Sequence, residues 1–293
     1  INPGDEVIIP APFWVSYSAM VKLAEGTIVE IPTSIESDFK ITPEQLEKAI
    51  TPKTKLIMFS SPCNPTGTVY TKDELKALAE VVARHENVYI ISDEIYEHIN
   101  FTGQHASMAQ FDFIYDRVVT VNGLSKAYAM TGWRLGYIGA PLWIAKACDK
   151  IQGQYTSATC SITQRAAIAA LEGDVETTLT MKAAFLRRRD LVFQMMQNIK
   201  GLKFNNPQGA FYFFPDVSNY FGKTYNGNTI NNADDMAMYL LNEGNLSVVT
   251  GSAFGDQNCI RFSYATSDDK LVEAMKRLKI ALEKLITQEI PVS

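Results

Sequence analysis

Apolar residues in the first half of the chain occur either in short continuous runs or at helical spacing, and the two patterns alternate. The continuous runs have the length and composition of parallel strands that helices cover on both faces; they lie at 6–10, 27–31, 55–60, 88–92 and 118–122. Residues 72–82 are apolar at helical spacing and follow a capping box at Thr71 and Glu74. This order predicts an α/β fold with a mostly parallel sheet sandwiched by helices.

The second half of the chain changes character near Lys200. Residues 141–200 are largely helical, whereas the segments after them include short apolar runs typical of strands; these lie at 202–204, 209–214, 246–249 and 259–264. Helical spacing returns at 233–243 and 267–287. The patterns predict a large domain over residues 1–199 and a smaller C-terminal α+β domain over residues 200–293. Because the opening segment resembles a turn that enters a strand, we expect the large domain to lack its N-terminal part.

Composition and charge exclude several classes of protein. Apolar residues make up 46% of the chain and charged residues 20%, as in ordinary globular proteins. The net charge of −5 argues against a nucleic-acid partner, and no apolar run reaches the length of a membrane span. Four cysteines and three histidines are widely scattered, which argues against a metal site. We expect reduced thiols in a cytoplasmic protein.

Polar and aromatic side chains follow the predicted strands at the points where the strands end. Trp14, Asn64 and Lys126 each come shortly after such a strand, and Asp93 with Tyr96 follows another. The carboxyl ends of parallel strands meet at one edge of a sheet, where ligands bind in open α/β folds. We therefore expect these side chains, although distant in sequence, to converge on one site.

Lys126 and Arg134 suggest what that site binds. A lysine on a tight turn after a buried strand has a poorly solvated amine, and burial lowers the pKa of an amine and makes it nucleophilic towards an aldehyde. Arg134 has a fork of donors suited to a phosphate. An amine for a Schiff base close to a phosphate-binding guanidinium suggests pyridoxal 5'-phosphate. The alternative is a solvated loop lysine and an arginine in a surface ion pair.

The remaining side chains match the other needs of that cofactor. Asp93 can face a pyridine nitrogen, or it can be a helix N-cap. Asn64 and Tyr96 can donate hydrogen bonds to a phenolic oxygen, although the Asn-Pro-Thr-Gly run is also a good turn sequence. Trp14 can stack on the ring or pack in the core. Arg261, on a strand between apolar neighbours, is a candidate clamp for a substrate carboxylate.

Stretches that cover nearly the whole chain resemble, in order, the class I and II aminotransferases of fold type I, and above all their bacterial aspartate aminotransferase subgroup. The most specific motifs are NPTG at 64–67, DEIY at 93–96 and SKAYAMTGWRLG at 125–136. Further matches are APFWVSY at 11–17, GAFYFFP at 209–215 and IRFSYA at 260–265. The resemblance implies a pyridoxal-phosphate enzyme with a large and a small domain.

The resemblance also implies a role for each matching residue. The catalytic residues would be Lys126, Asp93 and Tyr96, with Lys126 forming the Schiff base. Contacts to the cofactor would come from Trp14, Asn64, Asp93, Tyr96, Lys126 and Arg134. Contacts to the substrate would come from Trp14, Asn64 and Arg261. The chain departs from the family in lacking its N-terminal arm and the Gly/Ser-rich phosphate turn, and Gly123 occupies a position that is often serine, so we expect the chain alone to bind the cofactor weakly.

The implied reaction transfers an α-amino group from an amino acid, L-aspartate in this hypothesis, to 2-oxoglutarate. The partners would be a small amino acid and a 2-oxo acid, and the full-length protein would be a homodimer in the cytoplasm. Three alternatives stay open. Two are enzymes that use the same cofactor, an aromatic or kynurenine aminotransferase and a β-lyase, and the third is a pyridoxal-phosphate-binding sensor module without catalysis.

Overall fold

The computed structural model describes residues 1–287, and a mixed sheet forms the centre of their first half. Its strands are β1 (Glu6–Ala11), β2 (Thr27–Pro32), β3 (Thr54–Ser60), β4 (Tyr89–Asp93), β5 (Val118–Gly123) and β6 (Gly136–Gly139). The spatial order is β2-β1-β3-β4-β5-β6. Neighbouring strands from β2 to β5 are parallel, and β6 is antiparallel to β5. The predicted α/β class with a mostly parallel sheet is therefore confirmed.

Helices connect the strands and continue after them. They are α1 (Ser16–Leu23), α2 (Pro43–Ala49), α3 (Lys72–Ala83), α4 (Leu142–Tyr155), α5 (Ser161–Glu172) and α6 (Glu176–Met196). The predicted capping box at the start of α3 is present, because Thr71 Oγ1 accepts the N–H of Glu74 at 3.2 Å and a carboxylate oxygen of Glu74 accepts the N–H of Thr71 at 2.7 Å. Within residues 1–287, no helix is both long and apolar enough to cross a membrane.

Short 3₁₀ helices occupy several of the connections. They are found at Ile35–Ser37, Met108–Gln110, Asp112–Arg117, Thr131–Trp133, Ser218–Tyr220 and Gly251–Phe254. The turns at 108–117 lead from the loop after β4 into β5, and the turn at 131–133 leads into β6. These short helices therefore connect consecutive strands of the sheet.

The central strands of the sheet are covered on both faces, which explains why they are continuously apolar. Successive side chains of a strand point to opposite faces. Ile8 packs with Leu46 of α2 and Leu75 of α3 on one face, whereas its neighbours Val7 and Ile9 pack on the other face in a cluster that includes α1. A strand that is covered on both sides in this way has no polar face to present to water.

The C-terminal part is a smaller α+β unit. Its elements are β7 (Tyr212–Phe213), β8 (Thr224–Tyr225), β9 (Asn228–Thr229), α7 (Ala233–Gly244), β10 (Val249–Thr250), β11 (Ile260–Ser263) and α8 (Asp268–Thr287). The helices predicted at 233–243 and 267–287 are confirmed. The strand predicted at 202–204 is wrong: the apolar run is too short to form a ladder, and Lys203 makes only an isolated bridge to Asp216.

The division of the chain into domains stays a prediction. Phe185, Val192 and Met196 of α6 lie in the same apolar cluster as Leu278 and Leu282 of α8. A helix that precedes the predicted boundary at 199/200 thus contributes to the core of the C-terminal part. Residues 288–293 of the predicted small domain lie outside the described residues.

The turn after β3 is held against the C-terminal part by backbone contacts. Its Gly67 has a φ of +68°, and a Cβ on it would lie 2.5 Å from the Cβ of Pro207. The carbonyl of Gly67 accepts the N–H groups of Gln208 and Gly209 at 2.8 and 2.9 Å. Glycine is therefore required at this position both for its left-handed backbone and for the close approach of the segment at 207–209.

We expect Gly67→Ala to lower the free energy of unfolding by about 3 kcal/mol, because it adds a left-handed backbone penalty and a steric clash. Chemical denaturation measures this change. Gly103→Ala is the matched control, since Gly103 has a φ of +89° but a Cβ on it would meet nothing within 4 Å; it should cost about 1 kcal/mol. Equal losses in the two variants would show that the contact with Pro207 is unimportant.

Candidate active site

The polar side chains that were predicted to converge do lie together at the carboxyl edge of the sheet. The strands that precede them are neighbours and end close to the same level, because Ser60 pairs with Asp93, and Asp93 pairs with Val121, two residues before the end of β5. Loops that leave these strands must therefore begin at the same level. The register of the sheet positions the site, although its side chains come from loops that are far apart in sequence.

These loops surround a cavity of about 370 Å³. Among the residues that line it are the predicted Trp14, Asn64, Asp93, Tyr96, Lys126 and Arg134. Arg261 is the remaining predicted residue, and its Nη1 donates to Asn64 Oδ1 at 2.8 Å. The structure therefore brings together all the residues that the sequence singled out. Tyr17, Ser60, Asn122, Ser125 and Thr131 also line the cavity and were not predicted.

Lys126 lies on the turn after β5 and is partly buried. Its Nζ is 5.8 Å from the ring centroids of both Tyr96 and Phe211. Burial lowers the pKa of this amine, the positive charge of Arg261 lowers it further, and the carboxylate of Asp93 acts in the opposite direction. The amine thus belongs to the wall of the cavity, and its environment favours the neutral, nucleophilic form.

Asp93 is the last residue of β4, and both of its carboxylate oxygens have a protein donor. Oδ2 accepts the hydroxyl of Tyr17 at 2.6 Å, and Oδ1 accepts the N–H of Ile95 at 3.2 Å. Residues 95–98 form a turn, so Asp93 is not the N-cap of a helix. Burial raises the pKa of this carboxyl, and the hydrogen bond from Tyr17 acts against that shift.

Arg261 is a cation held between two aromatic rings. Its guanidinium carbon lies 4.6 Å from the ring centroid of Tyr212 and 4.8 Å from that of Phe254. Burial lowers the pKa of Arg261. Within residues 1–287, its Nε has no hydrogen-bond partner and no carboxylate pairs with it. A partly buried guanidinium with a free donor is suited to bind an anionic ligand.

Tyr96 is hydrogen-bonded to a tyrosine of the C-terminal part. The hydroxyl groups of Tyr96 and Tyr212 are 2.9 Å apart, and burial raises the pKa of both phenols. Tyr212 therefore touches both Tyr96 and the guanidinium of Arg261. This contact could not be predicted from a local pattern, because the two tyrosines are 116 residues apart; the aromatic run at 211–214 was the one available signal.

Arg134 reaches the cavity from an unusual backbone conformation. Its φ is +55°, in the left-handed region, and its Nη1 donates to the carbonyl of Thr131 at 2.6 Å. The side chain is exposed, and the described residues offer no partner for its other guanidinium nitrogens. This conformation is uncommon for a residue other than glycine. Here it belongs to the tight turn from which the Arg134 side chain reaches the cavity.

A cluster next to Asp93 contains metal-ligating residue types. Side-chain atoms of Glu94, Glu97 and His105 lie within 4.8 Å of one another. The oxygens of Glu94 are already used, because Oε1 accepts the hydroxyls of Ser92 and Ser107 at 2.9 and 2.7 Å and Oε2 contacts His105 at 2.8 Å. This network supports the loop that follows β4.

Comparisons with known proteins agree with this geometry. Residues 1–278 match the family described as aminotransferase class I and II. The chain is 51% identical to the aspartate/prephenate aminotransferase of Cereibacter sphaeroides, with 95% of this chain and 70% of that protein covered. It is 49% identical to the bifunctional aspartate aminotransferase and glutamate/aspartate-prephenate aminotransferase of Petunia hybrida, with 96% of this chain and 60% of that protein covered.

A solved structure also matches the fold of this chain. The aspartate aminotransferase of Rhizobium meliloti superposes with a TM-score of 0.94 at 43% identity, covering 97% of this chain and 72% of that one. The chain thus spans between 60% and 72% of the length of these three proteins. Because the family model matches residues 1–278 and these relatives are 43–51% identical over nearly all of this chain, the chain belongs to the class I and II aminotransferase family.

Proposed function

We propose that the protein is a pyridoxal-phosphate-dependent aminotransferase that moves the α-amino group of L-aspartate to 2-oxoglutarate. One observation carries this proposal: the amine of Lys126 and the carboxylate of Asp93 line one cavity, and the partly unpaired guanidinium of Arg261 is bonded to Asn64 of the same cavity wall. Amino transfer requires an amine that can exchange with an aldehyde and a cation that binds the substrate carboxylate. It also requires a carboxylate whose negative charge helps the cofactor ring to withdraw electrons from the substrate. Relatives named aspartate aminotransferases support the choice of aspartate.

The cavity fits pyridoxal 5'-phosphate, which is the cofactor of the family. The donor set contains an amine, a carboxylate, a phenol, an amide and a guanidinium, which together match the groups of this molecule. Ser60 Oγ is a buried polar atom at the cavity wall that has no partner among residues 1–287. The residues that would hold the cofactor are Trp14, Asn64, Asp93, Tyr96, Lys126 and Arg134.

When bound, the cofactor supplies an aldehyde and a ring that withdraws electrons from the substrate. The protein supplies the proton transfers. Lys126 Nζ, whose pKa is lowered by burial, can accept a proton and return it. Asp93 places a fixed negative charge at the cavity wall, and Tyr96 and Asn64 offer hydrogen-bond donors to an anionic oxygen. Trp14 provides an aromatic surface that excludes water.

Arg261 would bind the α-carboxylate that amino acids and 2-oxo acids share. A guanidinium can hold a carboxylate through two parallel hydrogen bonds. The rings of Tyr212 and Phe254 fix its plane, and Asn64 Oδ1 takes one donor and leaves others free. In this proposal Trp14 and Asn64 also contact the substrate, which places the amino group near Lys126.

Prephenate is a second candidate amino acceptor. Two of the relatives described above are named for prephenate as well as aspartate. Prephenate carries a 2-oxo acid group, so the same arginine would bind it. The aromatic and kynurenine aminotransferases, the β-lyase and the non-catalytic sensor module remain alternatives that a substrate panel can separate.

We propose in addition that the full-length protein is a cytoplasmic homodimer. The support for a second subunit is an exposed apolar surface at the end of the sheet near β6. Its side chains are between 38% and 86% exposed and belong to Tyr137, Ile138, Leu142, Trp143, Ile151 and Tyr155. A surface of this kind is typical of a protein–protein contact.

We expect the full-length protein to convert aspartate and 2-oxoglutarate to oxaloacetate and glutamate, and Lys126→Ala to lower kcat by about 10²–10⁴-fold or more. Product analysis by mass spectrometry and a coupled assay measure this. Lys53→Ala is the control, since Lys53 is exposed and far from the cavity in the fold. Its activity should equal that of the wild type.

The same assay separates the alternatives. Prephenate, tyrosine and kynurenine are each tested as a partner for transfer. Release of pyruvate and ammonia without an oxo acid acceptor would identify a β-lyase, and cofactor binding without turnover of any substrate would identify a sensor. Full activity of Lys126→Ala would contradict the role proposed for this lysine.

The pKa of Lys126 should depend on Arg261. Because the positive charge of Arg261 lowers the pKa of the amine, Arg261→Gln should raise it, and the neutral amine should form only at higher pH. The rate at which an amine-directed reagent labels Lys126 in the cofactor-free protein, measured by peptide mass spectrometry against pH, reports this. The labelling of exposed Lys53 serves as the internal reference.

An unchanged midpoint in Arg261→Gln would show that the two cations do not interact. Tyr212→Phe provides a second comparison, because it keeps the ring against the guanidinium and retains the charge of Arg261. The midpoint for Lys126 in that variant should stay close to that of the wild type.

A further inference from the structure

Tyr17 lines the cavity, and its hydroxyl is hydrogen-bonded to the carboxylate of Asp93. Its side chain is 3% exposed, and its hydroxyl donates to Asp93 Oδ2 at 2.6 Å. The N–H of Ile95 donates to the other oxygen of this carboxylate. With a donor on each oxygen, the plane of the Asp93 carboxylate is fixed, and Tyr17 is the side chain that fixes it.

The start of α1 places Tyr17 by local structure. Its N–H donates to the carbonyl of Trp14 at 2.9 Å, and the two rings meet edge to face with centroids 5.5 Å apart. The ring of Tyr17 packs with Val21 and Met58 in an apolar cluster. A phenylalanine would fill this apolar space equally well, so packing does not explain the hydroxyl.

The hydroxyl of Tyr17 affects the pKa of Asp93. Burial raises the pKa of Asp93, and the hydrogen bond from Tyr17 is the largest influence in the opposite direction, ahead of the Ile95 N–H and the charge of Lys126. Burial also raises the pKa of Tyr17 well above its usual range, so the phenol keeps its proton and remains a donor. The titratable groups that act on this pair are Cys63, Glu94, Tyr96 and Lys126.

We propose that Tyr17 is a positioning residue that acts through Asp93, keeping this carboxylate ionised and in one orientation at the cavity wall. The inference rests on the proposed function, in which the charge of Asp93 holds a proton on the ring nitrogen of the cofactor. A buried carboxyl that became neutral would no longer hold that proton, and the ring would withdraw electrons less strongly.

The first test uses the full-length protein without cofactor, so it does not depend on turnover. Aspartate carboxyl carbons are labelled with ¹³C, the signal of Asp93 is identified with Asp93→Asn, and its pH midpoint is measured by NMR. In Tyr17→Phe the midpoint should rise by on the order of one pH unit, because a hydrogen bond to a charged group is lost. Replacing Tyr17 with 3,5-difluorotyrosine, which has a more acidic hydroxyl, should lower it.

Tyr239→Phe is the matched control. Tyr239 is 6% exposed, and its hydroxyl donates to the carbonyl of Ala281 at 2.7 Å in the C-terminal core. This variant loses a similar hydrogen bond and should leave the midpoint of Asp93 unchanged. If Tyr17→Phe does not fold, the difluorotyrosine protein decides alone. An Asp93 midpoint equal to that of the wild type in the variants that fold would overturn the proposal.

The second test uses protein loaded with pyridoxal phosphate that carries ¹⁵N at the ring nitrogen. The chemical shift should indicate a protonated nitrogen in the wild type and move towards the unprotonated value in Tyr17→Phe. Identical shifts in the two proteins would also overturn the role of Tyr17. If the wild type neither binds the cofactor nor transfers amino groups, the proposed function fails, while the ¹³C midpoints still decide whether Tyr17 controls Asp93.

Discussion

The parallel alignment of β1, β3, β4 and β5 is the constraint on which the rest of the site depends. Each strand is held in register by its neighbours and covered by apolar side chains on both faces. Their carboxyl ends therefore cannot move independently, and the loops that leave them start from fixed points. Because the strands end close together at this edge of the sheet, the side chains that follow them reach one cavity. They belong to Lys126, Asp93, Asn64, Trp14 and Tyr96.

Polar pairs within the cavity then fix the side chains relative to one another. Asn64 holds the guanidinium of Arg261, and the hydroxyl of Tyr212 meets that of Tyr96. Both pairs join the sheet to the C-terminal part. An unpaired polar group in such a buried setting would be costly, so the pairs stabilise one arrangement of the two parts. The chemistry that we propose depends on this preorganisation as much as on the identity of Lys126.

Much of this could be predicted from the sequence, for a physical reason. Continuous apolar runs marked the buried parallel strands, and their ends marked the edge of the sheet, which located Asn64, Asp93 and Lys126 before any coordinates. Tyr17 and Tyr212 were missed because each meets its partner across a large distance in sequence, which no local pattern reveals. Short runs were the weakest signal: the one at 202–204 forms no strand, and the β8–β9 hairpin lies in a segment without an apolar pattern.

We propose that Lys126, positioned by the edge of the sheet, is the amine that carries the cofactor. Borohydride reduction of the full-length protein loaded with pyridoxal phosphate fixes the cofactor to whichever lysine holds it, and peptide mass spectrometry then identifies that residue. We expect a pyridoxyl phosphate group on Lys126. Modification of a different lysine, with Lys126 unmodified, would contradict it.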